Sequence, residues 1–269
     1  MKLLSIALAG LLALAASAYA ADAPSLEAQA REIMQKVHDR DDGKTAVMEQ
    51  EMILIDKKGG QRVRRIKSYG KDFGKDSYSI MFFLEPADVR DTSFLTYDYD
   101  QEDKDDDQWL YLPALKKVKR IASKDKDGSF MGSDFTYGDM TKRELSKFTY
   151  KILQEDTVNG QKCWVIEATP INDDVVDEYG YTKSIVWVRQ DNFVVIRAKF
   201  WEKSGGKVKY MDMPKLELIK GIWTPMEITM TTKKGNNTEH ATVLKTLSVT
   251  YDVDLPDSDF STTRMEKGH

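Results

Sequence analysis

Cysteine is almost absent from this sequence: Cys163 is the only one among 269 residues. A single cysteine excludes a disulfide within the chain, so covalent cross-links cannot hold the fold together. A chain of this length can bury about 70% or more of the surface that it exposes when unfolded. The sequence therefore predicts a fold that depends on a large hydrophobic core and needs neither disulfide nor metal.

Histidine is also scarce, and none of His38, His240 and His269 stands at metal-ligand spacing from a cysteine or an acidic residue. Each is more typical of a satisfied or solvent-facing side chain. The Gly-x-Ser-x-Gly, His-Glu-x-x-His and dinucleotide-binding motifs are missing. Residues 70–76 approximate a phosphate-binding loop, but the spacing is wrong and the metal-binding hydroxyl is lacking, so they favour a turn. We predict no metal, cofactor or catalytic residue.

Long apolar runs are missing after the first twenty residues, so nothing there approaches the roughly 20 apolar residues of a transmembrane helix. The chain begins with Met1-Lys2, followed by an apolar run over residues 3–16 and then by Ala18-Tyr19-Ala20. This order predicts a secretory signal peptide over residues 1–20, cleaved after Ala20. We expect residues 21–269 to form one exported domain without a membrane anchor. An uncleaved N-terminal anchor is the alternative.

Neither sign of charge dominates. The chain has 40 Lys and Arg against 44 Asp and Glu, and removing the signal peptide with Lys2 changes the balance from −4 to −5. This argues against a nucleic-acid partner. Residues 98–107 are acidic enough to suggest Ca²⁺, but they lack the glycine and the final glutamate of an EF-hand, so a solvated loop is favoured.

A basic run at residues 116–120 predicts a solvated strand edge, or alternatively a site that docks on an acidic partner or on lipid head groups. Its charged members are Lys116, Lys117, Lys119 and Arg120.

The remaining pattern is mostly β. Ser25 is placed to cap a helix, which we expect to end near residues 39–43. Apolar and polar residues then alternate between turn signals, which predicts about ten strands in an antiparallel meander. Helical turns are expected near residues 86–91 and 133–145. The predicted strands before the last group cover residues 46–54, 62–69, 78–84, 94–99, 108–112, 148–153, 163–169, 182–188 and 193–201.

Several strands have one apolar face, while residues 80–84 and 185–188 are apolar on both faces. With few helices to cover it, such a sheet is expected to curve strongly into an incomplete barrel around an apolar interior. Methionine suits an irregular cavity, although ordinary core is the alternative for each one. The predicted cavity-lining residues are Met48, Met52, Phe82, Leu84, Val194, Ile196, Phe200, Met226, Ile228 and Met230.

Two segments, residues 109–121 and 132–140, resemble the LolA-like outer-membrane lipoprotein-sorting family, in a longer branch than the compact lipoprotein chaperone. The resemblance continues through residues 183–188, 221–230 and 257–260. It implies a mainly β (α+β) fold: a strongly curved antiparallel sheet that forms a half-open barrel, with helices packed in or over its concave face. It also implies a hydrophobic cavity, and residence in a Gram-negative periplasm.

The function implied by the resemblance is non-enzymatic carriage of lipoprotein acyl chains or another amphiphile between envelope membranes. Members of this branch resemble companions of RND-type exporters, so an inner-membrane exporter is an implied partner. Phe135 and Tyr137 would serve as a movable lid or as a fixed plug. The alternatives are a module that docks on an exporter and carries nothing, and an envelope-lipid hydrolase, for which the sequence offers no nucleophile with a paired base.

Overall fold

The computed structural model describes residues 25–101 and 104–269, so the predicted signal peptide, Ala20, Glu102 and Asp103 lie outside the described residues. The helices are α1 (Leu26–His38), α2 (Asp173–Tyr179) and α3 (Thr262–Lys267). The strands are β1 (Thr45–Asp56), β2 (Gln61–Phe73), β3 (Asp76–Glu85), β4 (Ser93–Asp98), β5 (Asp107–Leu112), β6 (Lys117–Ile121), β7 (Phe148–Val158), β8 (Gln161–Pro170), β9 (Tyr181–Arg189), β10 (Val195–Glu202), β11 (Lys207–Ile219), β12 (Ile222–Lys234) and β13 (Asn237–Tyr251).

All these strands form one antiparallel sheet in the order β6-β5-β4-β3-β2-β1-β13-β12-β11-β10-β9-β8-β7. Neighbours in sequence are neighbours in space, as predicted, apart from β6 and β7, which lie at opposite edges. β1 and β13 join the two halves, with Ala46 opposite Tyr251. The sheet does not close, which confirms a strongly curved, half-open barrel.

Helix α1 begins as the sequence predicts, because the Ser25 hydroxyl accepts a hydrogen bond from the Ala28 amide at 3.1 Å. It ends at His38, before the predicted turn. Ala30 and Ile33 are buried on the face that packs into the main core, together with Phe148 of β7. We call the sheet face that carries this core the inner face, and the opposite one the outer face.

Residues 122–147, named here the crossing segment, run over the inner face from the β6 edge to the β7 edge. Helical turns were predicted at residues 133–145, and short 3₁₀ helices lie there at Tyr137–Met140 and Leu145–Lys147; two that were not predicted precede them at Ser123–Asp125 and Phe130–Gly132. Phe130 is fully buried in the main core. Asp134 attaches the segment to the middle of the sheet, because its carboxylate accepts hydrogen bonds from Thr232 Oγ1 (2.5 Å) and Thr242 Oγ1 (2.7 Å).

The outer face is covered in two places. Beside β3 and β4, Ile80, Phe82 and Leu95 form a buried cluster with Phe260 and Met265 of the C-terminal segment. A separate cluster on the other half of the sheet has the buried members Val158, Cys163, Val194 and Ile196. Strand β3 is apolar on both sides because it lies between the main core and the C-terminal segment.

Three predictions are corrected here. The described residues form 13 strands, not about ten, and they include α2 and α3, which were not predicted. Val194 and Ile196 were expected to share a face with Ala198 and Phe200, but they belong to the outer cluster. A β-bulge between Val195 and Arg197 shifts the register and reverses the alternation.

The acidic residues 98–107 were predicted to form a solvated loop, and the structure differs from this prediction. Asp106 is buried, and its carboxylate accepts a hydrogen bond from the Tyr99 amide at 3.0 Å. Asp107 lies in β5 and pairs with Arg120 of β6. Asp106 and Asp107 are therefore bonded to residues of the neighbouring strands, or next to them, at this edge of the sheet.

Candidate ligand-binding cavity

A cavity of about 510 Å³ lies on the inner face between α1, the end of the crossing segment and strands β7 to β11. Its floor is apolar because alternate residues of these strands point inward. The alanines at two floor positions leave room that larger side chains would fill. The floor residues are Phe148, Tyr150, Ala168, Val186, Val195, Ala198, Phe200, Met211 and Met213.

Helix α1 adds Met34 and Val37 to the apolar lining. Polar side chains are also part of the lining, contributed by the last residue of α1, by residues after it, by the crossing segment and by β9: His38, Arg40, Asp42, Asp139, Lys142, Arg143 and Ser184. A volume of this size is typical of small-molecule sites, in which a mainly apolar wall carries a few polar groups. Such a lining suits a molecule with an apolar chain and a polar head.

Two of the carboxylates in the lining already have partners. Asp42 pairs with the Lys142 ammonium at 2.9 Å. Asp139 accepts hydrogen bonds from the Tyr181 hydroxyl (2.8 Å) and from the Thr136 amide (2.9 Å). Burial, and then the charge of Asp139, raise the pKa of Tyr181 well above its ordinary value, so this phenol remains a hydrogen-bond donor.

The guanidinium of Arg143 lies among the rings of Phe200, Phe148, Tyr181 and Tyr179, at 5.0, 5.4, 5.5 and 5.6 Å from their centroids. Its Nη1 donates a hydrogen bond to Ser184 Oγ at 3.1 Å, and its Nη2 is 4.0 Å from an Asp139 oxygen. The cavity therefore holds a cation surrounded by aromatic rings.

Asp98 of β4 supports the edge of the cavity, because its carboxylate accepts a hydrogen bond from the Lys142 amide at 2.7 Å. Burial, and then the charge of the neighbouring Asp106, raise the pKa of Asp98 to about 7, although the bond from the Lys142 amide and the charge of Lys142 oppose the rise. A titratable group near neutral pH thus contacts the crossing segment next to Arg143.

The structure distributes the ten predicted lining residues over both faces of the sheet. Phe200 is the one that lines this cavity. Met52 and Met230 are buried in the main core, and Ile228 packs against it. Phe82 and Leu84 belong to the cluster under the C-terminal segment, Val194 and Ile196 belong to the other outer cluster, and Met48 and Met226 are half-buried. Their contact with a ligand stays a prediction.

Phe135 and Tyr137 lie within the main core, where Phe135 is buried and Tyr137 packs against it. The Tyr137 ring packs edge-on against Phe130 and at a tilt against Phe94, and the Tyr137 carbonyl accepts a hydrogen bond from Gln108 Nε2 at 2.8 Å. In this structure the two side chains fill the space between the crossing segment and the sheet.

The basic run forms the exposed edge of the sheet. Lys116, Lys117, Lys119 and Arg120 are exposed on or next to β6, and Arg120 pairs with Asp107. No strand of the described residues pairs with the outer side of β6. The run therefore lies on an exposed strand edge, and its two predicted roles, a solvated edge or a docking site, both stay predictions.

Sequence reasoning missed several residues of the cavity. Met34 and Val37 lie on the apolar side of a helix that was predicted, so their spacing was a usable signal. Ala168 and Ala198 differ from other inward residues only in size. Arg143 had no local signal, because the rings around it come from positions 148, 179, 181 and 200.

Within residues 25–101 and 104–269, no three His, Cys, Asp or Glu side chains are grouped so as to hold a metal ion. In the same part of the chain, no helix is both long and apolar enough to cross a membrane.

The chain is similar to proteins of known structure over most of its length. It is 30% identical to a DUF1329 family protein from Desulfovibrio piger, with a TM-score of 0.80 over 89% of this chain and 99% of that one. It is 29% identical to a Vibrio parahaemolyticus protein described as an outer membrane lipoprotein-sorting protein domain, with a TM-score of 0.79 over 88% and 98% of the two chains.

A LolA superfamily protein from Nitrosomonas europaea has the same fold, with a TM-score of 0.65 and 20% identity over 87% of this chain and 98% of that one. A family model described only as an uncharacterized protein matches residues 75–267. No curated protein matches the sequence.

Proposed function

This chain belongs to the DUF1329 family and has the LolA-superfamily fold, and on that basis we propose that it is a non-enzymatic periplasmic carrier. In this proposal it holds the acyl chains of lipoproteins, or another amphiphile, for transfer between envelope membranes. The Vibrio relative, described as a lipoprotein-sorting domain, supports this class of ligand.

The observation that carries the proposal is the cavity of about 510 Å³, in which an apolar floor adjoins charged side chains. Each methylene group that moves from water onto such a floor gains roughly 0.8 kcal/mol. A single acyl chain therefore binds without specific polar contacts, while the polar lining receives the head group.

A larger ligand needs more of the inner face than the cavity exposes. The crossing segment covers the middle of the sheet, where Asp134 is bonded to Thr242, and Thr242 is opposite Met230 in the register. We propose that displacing Phe135 and Tyr137 opens a path along the inner face toward Met230, Ile228 and Met52. In this form Phe135 and Tyr137 act as a lid.

Protein purified from the periplasm tests the carrier function directly. Native mass spectrometry followed by lipid extraction is expected to find a co-purified amphiphile, and the delipidated protein is expected to take up a fluorescent fatty acid. A protein that is consistently empty and takes up no fatty acid would contradict the proposal. Sequencing the N-terminus of the purified protein tests the predicted signal peptide, since cleavage after Ala20 leaves Ala21 as the first residue.

We also propose that the β6 edge docks on an inner-membrane RND-type exporter, because its lysines are exposed and no described strand pairs with that side of β6. Changing Lys116, Lys117 and Lys119 to glutamate is expected to abolish co-purification with such an exporter. Changing the exposed Lys57 and Lys58 at the β1–β2 turn is the matched control, and should leave it intact. If the β6 variant co-purifies as the unaltered protein does, this docking surface is wrong.

A further inference from the structure

We propose that Arg143 selects amphiphiles whose head is an oxyanion, a carboxylate or a phosphate, over those with a neutral or cationic head. The inference rests on the proposed carrier function and names the ligand class of the same cavity. The shared chemistry is a planar or tetrahedral anionic group in which two or more oxygens share the negative charge, and which a guanidinium binds through parallel N–H donors.

The first argument is the position of the guanidinium. Arg143 lies in the cavity lining beside Phe148 and Phe200, both of which also belong to the apolar floor. About a quarter of its side chain (24%) is exposed. An acyl chain that lies on this floor therefore ends next to a positive charge in a partly dry environment, where charge pairing is stronger than in water.

The second argument is that the guanidinium has unused donors. It carries five N–H groups, and its hydrogen bond in the described chain is the one from Nη1 to Ser184 Oγ. Nη2 is buried without a hydrogen-bond partner. Buried donors are normally paired, because an unpaired one costs free energy. A small movement that turns this side chain toward an oxyanion would remove that cost.

The third argument is that Asp139 does not satisfy Arg143. The closest approach between them is 4.0 Å, beyond hydrogen-bond distance. The other Asp139 oxygen is held by the Tyr181 hydroxyl and the Thr136 amide. Because these bonds fix the carboxylate in place, Arg143 keeps most of its capacity for an incoming anion.

The other cations of the lining are engaged. Lys142 pairs with Asp42 at 2.9 Å. Arg40 Nη1 donates to the carbonyl oxygens of Asp41 (3.2 Å) and Trp223 (3.1 Å). Arg143 is therefore the cation of this cavity whose donors are least used by the described residues.

The test compares four ligands that share a hexadecyl chain: palmitate, hexadecyl phosphate, hexadecanol and hexadecylamine. Their affinities for the full-length mature protein are measured at pH 8 by displacement of a fluorescent fatty acid. We expect the two anions to bind at least about tenfold more tightly than the alcohol, the range that one charge-assisted hydrogen bond supplies. The ratio between palmitate and hexadecyl phosphate identifies which oxyanion is preferred.

The variant Arg143→Met is expected to lose this tenfold preference while its affinity for hexadecanol changes less than threefold. Arg143→Lys keeps a positive charge and should retain part of the preference. Lys142→Met is the matched control, because Lys142 lines the same cavity but already has a partner, and it should preserve the preference. Circular dichroism and thermal unfolding confirm that each variant is folded.

Each result has a separate meaning. Equal affinity of the unaltered protein for the anions and the alcohol would overturn the head-group selection and leave the carrier function standing. Failure of all four ligands to bind would contradict the carrier function itself. A preference that survives in folded Arg143→Met, or moves to Lys142→Met, would show that Arg143 is not the selecting residue. The comparison of ligands uses the unaltered protein, so it decides even where a variant fails to fold.

Discussion

Asp98 and Asp134 are two of the carboxylates that hold the crossing segment to the sheet, and they do so in different ways. Asp98 accepts one backbone hydrogen bond, from Lys142, and has a pKa of about 7. Asp134 is buried and accepts side-chain hydrogen bonds from Thr232 and Thr242, and its second oxygen is 2.7 Å from His240 Nδ1. The Asp98 carboxyl group therefore titrates near neutral pH, whereas the Asp134 carboxylate binds three residues of the sheet at once.

The titration of Asp98 makes stability depend on pH. Between its ordinary pKa of 3.8 and its folded pKa of about 7, the folded protein keeps a proton that the unfolded chain has released. The stabilisation by the neutral form is therefore complete below about pH 4 and is lost as the pH rises to about 7. Asp106 and Asp42 raise this pKa, and the charge of Lys142 lowers it.

Asp98→Asn removes the titrating carboxyl group, and the asparagine can still accept the hydrogen bond from the Lys142 amide. Between pH 4 and pH 7, the free energy of unfolding of the unaltered protein is expected to fall relative to that of the variant. The slope of the difference is at most about 1.4 kcal/mol per pH unit. Urea unfolding of both proteins at several pH values measures it. A difference that does not change with pH would contradict the assignment.

Asp134→Ala leaves Thr232, Thr242 and His240 without their acceptor and is expected to lower the free energy of unfolding by at least about 3 kcal/mol. Chemical denaturation measures the change. Asp254→Ala, at an exposed aspartate, is the matched control and should stay within about 0.5 kcal/mol of the unaltered protein. A loss that is no larger at Asp134 than at Asp254 would mean that the segment is held by its aromatic side chains alone.

Many side-chain contacts could not be predicted from the sequence. The contact between Asp134 and His240 joins positions 106 residues apart, and nothing local marks either of them as a partner. His240 was expected either to have a hydrogen-bond partner within the protein or to face solvent, and its bond to Asp134 agrees with the first expectation. Burial of Asp106 was missed because a run of acidic residues is ordinarily solvated, and only the pairing of β4 with β5 brings it inside.

Among the elements, prediction succeeded where the signal was local. The Ser25 cap defined the start of α1, and the turns at Gly59-Gly60 and Asn159-Gly160 lie between strands as the sequence indicates. It failed at the bulge in β10, because a single extra residue reverses the alternation of every residue before it. It also missed α3, whose six residues are too few for a clear helical period.

Helix α3 nonetheless packs into the outer cluster. Met265 is fully buried in contact with the cluster that contains Ile80, Phe82 and Leu95. Met265→Ala is expected to lower the free energy of unfolding by about 2–5 kcal/mol, the usual cost of such a cavity. Leu218→Ala, at an exposed leucine, is the control for denaturation experiments. A small loss at Met265 would indicate that the C-terminal segment detaches without affecting the rest of the sheet.

At the scale of the whole molecule, a meander with a curved shape was predictable, since strand order follows from short turns and curvature from the shortage of helices. The cavity was not, because its walls combine α1, the crossing segment and five strands. Its existence depends on small side chains such as Ala168 and Ala198 at inward positions. The sequence shows those alanines, but not which face of the sheet they occupy.

Filling the cavity should abolish ligand uptake without disturbing the fold elsewhere. Ala198→Phe places a ring on the floor beside Phe200, and uptake of a fluorescent fatty acid is expected to fall at least tenfold. Ala241→Phe makes the same chemical change on the outer face, because its neighbours His240 and Thr242 point inward to Asp134. Uptake by this control should be unchanged. Equal uptake by both variants would show that the ligand binds elsewhere.

The pairing of β1 with β13 has a consequence for how the molecule is assembled. Strands β1–β6 and β7–β13 are each built from hairpins of close neighbours, whereas Ala46 meets Tyr251 across almost the whole chain. Contacts between such distant positions are slow to form, because closing the long loop costs entropy before any bond repays it. During synthesis, the first half must therefore wait with the edge of β1 unpaired until the last long strand arrives. That waiting period is when the chain is most open to aggregation and most in need of a chaperone.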